Sequence, residues 1–295
     1  MKTINFMGYK KIWFGISLTL LAIGLVFMLI NGGLNLGIDF VGGTSIHANI
    51  GKTFEVSEIR QIMDKYDTEA TITHAGTNKD QVIVRTKVTL DNAKRAEIIK
   101  TFSDKYTISA TNIAFETIGP TVGKELSMQA LIAVLLAFAG IMIYVSFRFE
   151  WKFGLAAIAA LVHDTAMMVA AYAVFQIPVN STFIAAILTI IGYSINDTIV
   201  IFDRIRENLK HEHNKKTDYD VLVNTSVTQT LARSINTSIT TLLTIFALYF
   251  LGVPAIKEFA FPMIIGIISG CYSTIFVASP LWVIFRQKIK IGGAH

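Results

Sequence analysis

Long apolar runs, separated by short charged segments, dominate the pattern of hydrophobic and polar positions along this chain. Six of these runs have about the 20 residues that an α-helix needs to cross the hydrocarbon core of a bilayer. They lie at about 12–30, 128–147, 153–175, 183–202, 235–251 and 259–285. The last run is longer than one crossing requires, so we expect it to tilt or kink, most naturally at Pro262 or Pro280. The pattern predicts a polytopic α-helical membrane protein with six transmembrane helices.

Residues 37–125, between the first two runs, have instead the periodicity of a small extracytoplasmic domain. Alternating apolar positions predict strands at 44–50, 69–73, 81–88 and 112–118, and helical spacing predicts helices at 55–66 and 91–105. The core-facing residues expected on these helices are Val56, Ile59, Ile62 and Met63 on the first and Ala96, Ile99 and Phe102 on the second. The order β-α-β-β-α-β is that of the split βαβ, or ferredoxin-like, α+β fold, which serves many functions.

The fourth run carries Asn196 and Asp197 inside its apolar sequence, and this feature points most strongly to a function. A charge near the middle of a membrane helix costs roughly 2.5–3.5 kcal/mol on insertion scales, so it usually faces a partner or a water-filled path. We interpret Asp197 as a working residue. A purely structural salt bridge to Arg233 is the alternative, but it would hardly require the adjacent Asn196.

Other polar residues lie inside the third and fifth runs. His163 and Asp164 occupy the centre of the third, with the small residues Ala156 and Ala160 on the face of Asp164, where another helix could approach closely. The fifth run carries a single polar stripe at positions i, i+4, i+7 and i+11, formed by Arg233, Thr237, Thr240 and Thr244. Such a stripe would line a path, but hydrogen bonds that only hold helices together remain an equal alternative for Asp164 and the threonines.

Composition and charge agree with a membrane protein and suggest its orientation. The chain is 53% hydrophobic and 16% charged, with a mean hydropathy of +0.54, so its charge of +5 bears on topology rather than on nucleic acid. With the N-terminus inside, fourteen lysines and arginines fall in cytoplasmic segments, against Lys257 alone in the two short outer loops. We therefore expect both termini, and a loop at about 203–233, in the cytoplasm. The first run, about 19 apolar residues long, exceeds a signal-peptide core and is expected to stay as a helix.

Several weaker signals predict no ligand. Gly51-Lys52-Thr53 lacks the upstream glycine of a nucleotide-binding P-loop, because Ile46 stands there. His211 and His213 lie in a charged segment without a cysteine, which favours a solvated loop over a metal site. Gly266 and Gly270 have the spacing of closely packed membrane helices. The single Cys271 excludes an intramolecular disulfide. We expect no enzymatic activity, no cofactor and no nucleotide or nucleic-acid partner.

Taken together, several sequence blocks resemble the SecF family of the SecDF protein-export machinery, a branch of the resistance-nodulation-division superfamily. The resemblance covers nearly the whole chain. Its blocks are Gly-Ile-Asp-Phe-Val-Gly-Gly at 37–43, Gly-Pro at 119–120 with Gly-Lys-Glu-Leu at 123–126, Arg-Phe-Glu-Trp at 148–151, His163-Asp164, Ile-Gly-Tyr-Ser-Ile-Asn-Asp-Thr at 191–198, Phe-Asp-Arg at 202–204 and Arg-Glu-Asn at 206–208. Gly37, Asp39, Gly42 and Gly43 are thereby identified as a signature turn. Tyr-Ser-Thr at 272–274 departs slightly from the family's expected serine pair.

This resemblance implies a partner and a mechanism. It implies a complex with SecD in the cytoplasmic membrane that works with the SecYEG translocon, uses the proton gradient in late steps of Sec-dependent translocation, and lets the outer domain meet the preprotein. It assigns proton transport to Asp197 and Arg233, with Asn196, Asp164 and His163 as further candidates. The expected division is 1–36 for the N-terminus and first helix, 37–125 for the outer domain, and 126–295 for a five-helix bundle. A half-transporter that exports lipid or small molecules, or a scaffold that transports nothing, are the alternatives.

Overall fold

The computed structural model describes residues 3–76, 78–211 and 218–288, which form a helical bundle and a small sheet domain. The helices are α1 (Lys10–Ile30), α2 (Ile38–Val41), α3 (Val56–Met63), α4 (Asn92–Tyr106), α5 (Pro120–Arg148), α6 (Trp151–Phe175), α7 (Ser181–His211), α8 (Tyr219–Leu251), α9 (Pro254–Ser273) and α10 (Ser279–Lys288). The strands are β1 (Gly43–Asn49), β2 (Thr71–Ala75), β3 (Gln81–Thr86) and β4 (Ile113–Ile118).

Within the described residues, six helical spans are long and apolar enough to cross a membrane, as predicted. They are α1, α5, α6, α7, α8 and the continuous segment Pro254–Lys288 that contains α9 and α10. At least half of the most apolar stretch is buried within the chain for α6, α7 and Pro254–Lys288, against less than a fifth for α1, α5 and α8. The spans α6, α7 and Pro254–Lys288 therefore form the centre of the bundle. The spans α1, α5 and α8 lie around them and leave wide apolar faces uncovered.

The segment 203–233, which we expected to be a loop, is helical over much of its length. The described residues continue α7 to His211 and begin α8 at Tyr219, where the side chain of Asp218 caps the first turn. Asn208 donates to Ser226 Oγ at 2.8 Å, so the two extensions are tied together. Charged residues mark where hydrocarbon ends, but they do not by themselves end a helix. Lys10 pairs with Asp220 at 3.1 Å, so these extensions lie at the same end of the bundle as the start of α1, hereafter the Lys10 end.

The sixth span changes its winding just before Pro280, the last of its three prolines. A π-helical turn, Thr274–Ala278, separates α9 from α10 and directly precedes Ser279 and Pro280. Pro280 has no N–H with which to continue the α-helical hydrogen bonds, and Ser279 Oγ instead donates to the carbonyl of Thr274 at 2.9 Å. The irregular winding was expected here, but its π geometry was not.

Small residues bring the central helices together. A side chain on Gly266 would meet Ile190 of α7, because an added Cβ would lie 2.4 Å from Ile190 Cγ1, and one on Gly270 would press on Ser194. Ala156 and Ala160 of α6 are fully buried. The close helix approach predicted from these four residues is confirmed.

The sheet domain has the predicted order of elements, β-α-β-β-α-β. Its strands form one antiparallel sheet in the order β2-β3-β1-β4, and Ile46 of β1 faces Val84 of β3 and Phe115 of β4. Ile59, Ile62 and Met63 of α3 are buried as predicted, while Val56 is only half-buried. On α4 the prediction is partly wrong.

The buried face of α4 is formed by Ile98, Phe102 and Tyr106, with Ile99 half-buried beside them. Ala96, which was expected in the core, is exposed. The buried face therefore follows the i, i+4, i+8 spacing of Ile98, Phe102 and Tyr106, and the prediction from Ala96, Ile99 and Phe102 left out Ile98 and Tyr106.

The signature turn joins the sheet domain to the bundle. Gly37 donates its N–H to the carbonyl of Val179 at 2.7 Å, and the carboxylate of Asp39 accepts from the N–H of Ser181, at the start of α7, at 2.8 Å. Gly42 has φ of +85°, a conformation that only glycine adopts easily, and its neighbour Gly43 has φ of +147°. These bonds hold α2 against the α6–α7 connection, at the domain end of the bundle.

A second connection between the two parts is a carboxylate bridge, hereafter the Glu258 bridge. Glu258 of α9 accepts from Arg85 of β3 at 2.6 Å and from Asn180 Nδ2, just before α7, at 2.9 Å. One side chain thus links the sheet to α9 and to the start of α7.

We expect Glu258→Gln to weaken this link without unfolding either part, since the amide keeps the volume but loses the charge. The coupling measured by a double-mutant cycle with Arg85→Met should be about 1 kcal/mol, because both side chains are partly exposed. Hydrogen exchange of β2 and β3 should rise in Glu258→Gln and stay unchanged in Glu55→Gln, an exposed control on the same domain. Equal exchange in both variants would mean that the bridge carries no restraint.

Candidate functional site: a buried carboxyl group among three helices

Asp197 lies in the middle part of α7 and points into the bundle. Its side chain is 5% exposed, and its Oδ2 atom has no hydrogen-bond partner among the described residues. Buried polar atoms are almost always hydrogen-bonded, and an unpaired one costs free energy comparable to a lost hydrogen bond. The structure thus places a carboxyl group with an unused oxygen inside the apolar layer, which is unusual for a purely structural residue.

Arg233 of α8 lies within electrostatic range of this carboxyl group. No salt bridge within 4.0 Å joins the two in the residues that the structure describes, and Arg233 is itself exposed. It lines a cleft of about 400 Å³ that also contains Arg148 and Arg204. Arg148 lies 3.9 Å from Asp203, and Arg204 pairs with Glu207 at 2.8 Å. The arginine that sequence reasoning selected is thus near Asp197 but directed towards the surface of the chain.

The polar stripe predicted on the fifth span does not line a path within this chain. Thr240 and Thr244 are exposed, and Thr237 is only half-buried. All three hydroxyl groups donate to carbonyls of their own helix, at 2.8–3.2 Å. Asn196 of α7 is exposed as well. Threonines bonded in this way can face lipid at little cost, whereas an uncovered asparagine amide cannot.

His163 and Asp164 are buried together at the centre of a hydrogen-bond network. Asp164, 1% exposed, accepts from Ser269 at 2.7 Å, from Ser194 at 2.7 Å and from Ser273 at 2.8 Å. His163 Nδ1 lies 3.2 Å from the same carboxylate. This network joins α6, α7 and α9, and both oxygens of Asp164 are used, in contrast with Asp197.

The network continues to α1. His163 Nε2 lies 3.1 Å from Ser17 Oγ, and Ser17 contacts the hydroxyl of Tyr272 at 3.2 Å. The hydroxyl of Tyr272 donates to the carbonyl of Trp13 at 2.7 Å. Polar groups therefore run in a chain from the bundle centre to the first span, and their partners fix the orientation of the histidine.

A metal centre finds no support in the described part of the chain, where no group of three histidine, cysteine or acidic side chains comes together. His211 ends α7 and is exposed, and His213 lies outside the described residues. The feature of the site without a structural partner is the buried carboxyl group of Asp197, one of whose oxygens is unpaired among the described residues.

Comparison with known proteins shows the family to which this chain belongs. A model described as the C-terminal part of the protein-export membrane proteins SecD and SecF matches residues 98–288, and one described as the SecD/SecF GG motif matches residues 27–46. The protein translocase subunit SecF of Desulfurispirillum indicum is 40% identical over 97% of this chain and 92% of its own length. The chain belongs to the SecF family. The SecF-family chain thus has a role in protein translocation.

Other relatives include both separate and fused proteins. SecF of Haemophilus influenzae is 36% identical over 93% of this chain and 83% of its own length. SecDF of Thermus thermophilus is 40% identical over 97% of this chain, which covers only 39% of that longer protein. A crystal structure of SecDF from Thermus thermophilus, described as a translocon-associated membrane protein, superimposes with a TM-score of 0.82 at 38% identity, over 97% of this chain and 39% of that one.

The GG-motif match spans the signature turn of this SecF-family chain, and the structure gives that motif a physical reason. Gly42 needs its left-handed φ, and an added Cβ on Gly43 would lie 2.3 Å from the carbonyl oxygen of Thr86. Asp39 caps α7, the helix that carries Asp197. The motif therefore fixes the domain end of the helix on which the buried carboxyl group lies.

Sequence reasoning missed the serines of this SecF-family site. Ser194, Ser269 and Ser273 surround Asp164, while the buried Ser234 and Ser238 of α8 lie near Asp197 and Cys271 respectively. The i, i+4 spacing of Ser269 with Ser273, and of Ser234 with Ser238, was the available signal. This spacing is a weak signal, because serine is small and common in membrane helices.

Proposed function

We propose that this SecF-family chain works with SecD in the cytoplasmic membrane and uses the proton gradient to assist late steps of Sec-dependent protein translocation. In this proposal Asp197 binds and releases the transported proton, and Arg233 modulates it. The observation that carries the proposal is the buried, partly unpaired carboxyl group at the centre of the bundle.

The physics of the site is compatible with this role. Desolvation disfavours the charged form of a carboxyl group and a nearby cation favours it, so a group subject to both can be switched by small movements. Asp197 is desolvated and lies near Arg233, which is not fixed in a salt bridge among the described residues. One elementary charge that crosses 100 mV supplies about 2.3 kcal/mol, so a few protons could drive a movement of the outer domain.

The need for a partner is supported by the uncovered faces of the chain. Asn196 is exposed in this chain, and hydrocarbon would leave its amide without hydrogen bonds. In the fused relatives of Thermus thermophilus and Bacillus subtilis, the matched part is less than two fifths of a chain named SecDF. We propose that SecD, whether separate or fused, covers this side.

The remaining partners follow from the same proposal. The outer domain would contact the preprotein as it emerges from the SecYEG translocon. The Glu258 bridge and the signature turn are the connections through which movement of the bundle would reach the domain.

The proposed orientation places both ends of the chain in the cytoplasm, because basic residues concentrate on that side. After Cys271→Ala, a cysteine at Asn78 in the outer domain should react with a membrane-impermeant thiol reagent added to intact cells. One at His211, at the end of α7, should react only after the membrane is opened. Both positions are exposed, so access alone decides the result. The reverse labelling would overturn the topology.

Reconstitution tests the partnership directly. We expect the purified chain alone in liposomes to show no Asp197-dependent proton flux and no assistance of export, and to gain both when SecD is added. The reason is that one chain leaves the Asn196 side uncovered and supplies only half of the helical body. Proton flux from the chain alone that is abolished by Asp197→Asn would instead indicate a functional homo-oligomer.

A further inference from the structure

The buried face of α8 carries two serines whose hydroxyl groups have no partner among the described residues. Ser234 and Ser238 are one turn apart and are 1% and 4% exposed. Other hydroxyl groups of the same helix behave differently: those of Thr230, Thr241 and Thr244 donate to carbonyls of the preceding turn. The two serines have therefore not taken the bond that is always available within a helix, and they point into the bundle with their hydrogen-bonding capacity unused.

These serines lie where α8 packs against α7 and α9, close to the polar side chains of Asp197 and Cys271. Tyr193, one turn before Asp197 on α7, donates to the carbonyl of Thr237, which lies between the two serines on α8. Ser234 therefore lies close to the carboxyl group of Asp197, and Ser238 close to the thiol of Cys271 on α9, but no hydrogen bond of good geometry joins either pair. Three buried oxygens in this small region, one each on Asp197, Ser234 and Ser238, lack partners among the described residues. So many unsatisfied polar atoms in one buried place are typical of a site that holds water, since a buried water makes about three hydrogen bonds to such groups.

We propose that Ser234 and Ser238, with Cys271 beside them, form a hydrated polar site through which the proton reaches and leaves Asp197. This inference rests on the proposed function and adds the route. The route follows the buried face of α8, not the exposed threonine stripe. Ser234 and Ser238 are positioning residues that hold water against the carboxylate. A proton delivered by this water forms an O–H bond at Oδ2 of Asp197, and the same bond breaks when the proton leaves, so nothing else is consumed.

The native Cys271 reports on the water without any substitution. In membranes that contain the chain with SecD, a small, charged, water-soluble thiol reagent should label Cys271, the only cysteine of the chain, because a thiol in a hydrated site can be reached and ionised. Ser238→Val should slow this labelling about tenfold relative to Ser238→Thr, which adds the same bulk but keeps the hydroxyl group that retains water. Absence of labelling in the wild type would overturn the hydrated site.

Export measurements test whether the water serves proton transfer. Ser234→Val and Ser234→Thr differ only by a methyl group in place of a hydroxyl group, so they share any packing strain. We expect stimulation of export by the proton gradient to be about tenfold lower in Ser234→Val than in Ser234→Thr. Thr189→Val, the same exchange at an exposed position of α7, should match the wild type.

The outcomes separate the two levels of the proposal. If wild-type export gains nothing from the gradient, the proposed function fails. If the wild type responds and the two Ser234 variants respond equally, proton transfer stands and the serine route is wrong. If Ser234→Val folds poorly, the labelling of Cys271 in the wild type decides whether the site is hydrated, because that measurement needs no variant.

Discussion

Asp197→Asn should accumulate in the membrane at wild-type levels, still bind SecD, and lose all stimulation of export by the proton gradient. The amide is nearly isosteric with the carboxyl group and removes a charge that is expensive in hydrocarbon, so insertion and packing should be unharmed or improved. An amide cannot bind and release a proton between about pH 5 and 8, so the switch itself is lost.

Graded variants at the two central positions sharpen this result. Asp197→Glu keeps a titratable group with one more methylene and should retain part of the activity. Arg233→Lys keeps the cation and should retain some activity, whereas Arg233→Met should retain little, because the positive charge near the carboxylate is gone.

The measurement is export of a secreted reporter with and without a proton uncoupler, for each variant at matched membrane levels. Wild-type export in Asp197→Asn that still collapses with the uncoupler would refute the role of Asp197. It would favour the interpretation of the chain as a scaffold that transports nothing.

The fold was largely predictable because a bilayer restricts the choices of a chain. Apolar runs of sufficient length must be helices, and the six spans follow from that requirement. The helical extensions of α7 and α8 were not predictable from hydropathy, because a helix in water and a loop in water look alike on that scale. What holds these extensions in place is contact between residues far apart in the sequence, such as the salt bridge of Lys10 with Asp220.

The charged residues of the candidate site were predictable from the sequence, but the uncharged serines that bind them were not. Asp164 and Asp197 stand out in any apolar helix, yet the sequence alone cannot say that one has every oxygen satisfied and the other does not. That difference depends on which serines face which aspartate. The rotations of α7 and α9 decide it, because they direct Ser194, Ser269 and Ser273 towards Asp164.

Substitution of each buried aspartate by alanine should therefore have very different effects on stability. Asp164→Ala should destabilise the chain strongly, because it removes the acceptor for Ser194, Ser269 and Ser273. It also leaves His163 without its carboxylate partner. Removal of one partner from a buried, hydrogen-bonded charge costs about 3–5 kcal/mol. Asp197→Ala breaks no such network and should be close to neutral for stability.

The free energy of unfolding in lipid–detergent micelles, together with the amount of chain in the membrane, measures this contrast. Asp164→Asn should fall between the two alanine variants, since an amide keeps one acceptor oxygen for the serines. Ser17→Ala should change stability by less than Asp164→Ala, because it removes only the contacts of one hydroxyl group with His163 and Tyr272 and leaves the carboxylate with its serine partners. If Asp164→Ala and Asp164→Asn are instead stable and abundant but lose the response to the proton gradient, Asp164 belongs to the proton path with Asp197, and its serine network serves the proton rather than the packing of α6, α7 and α9.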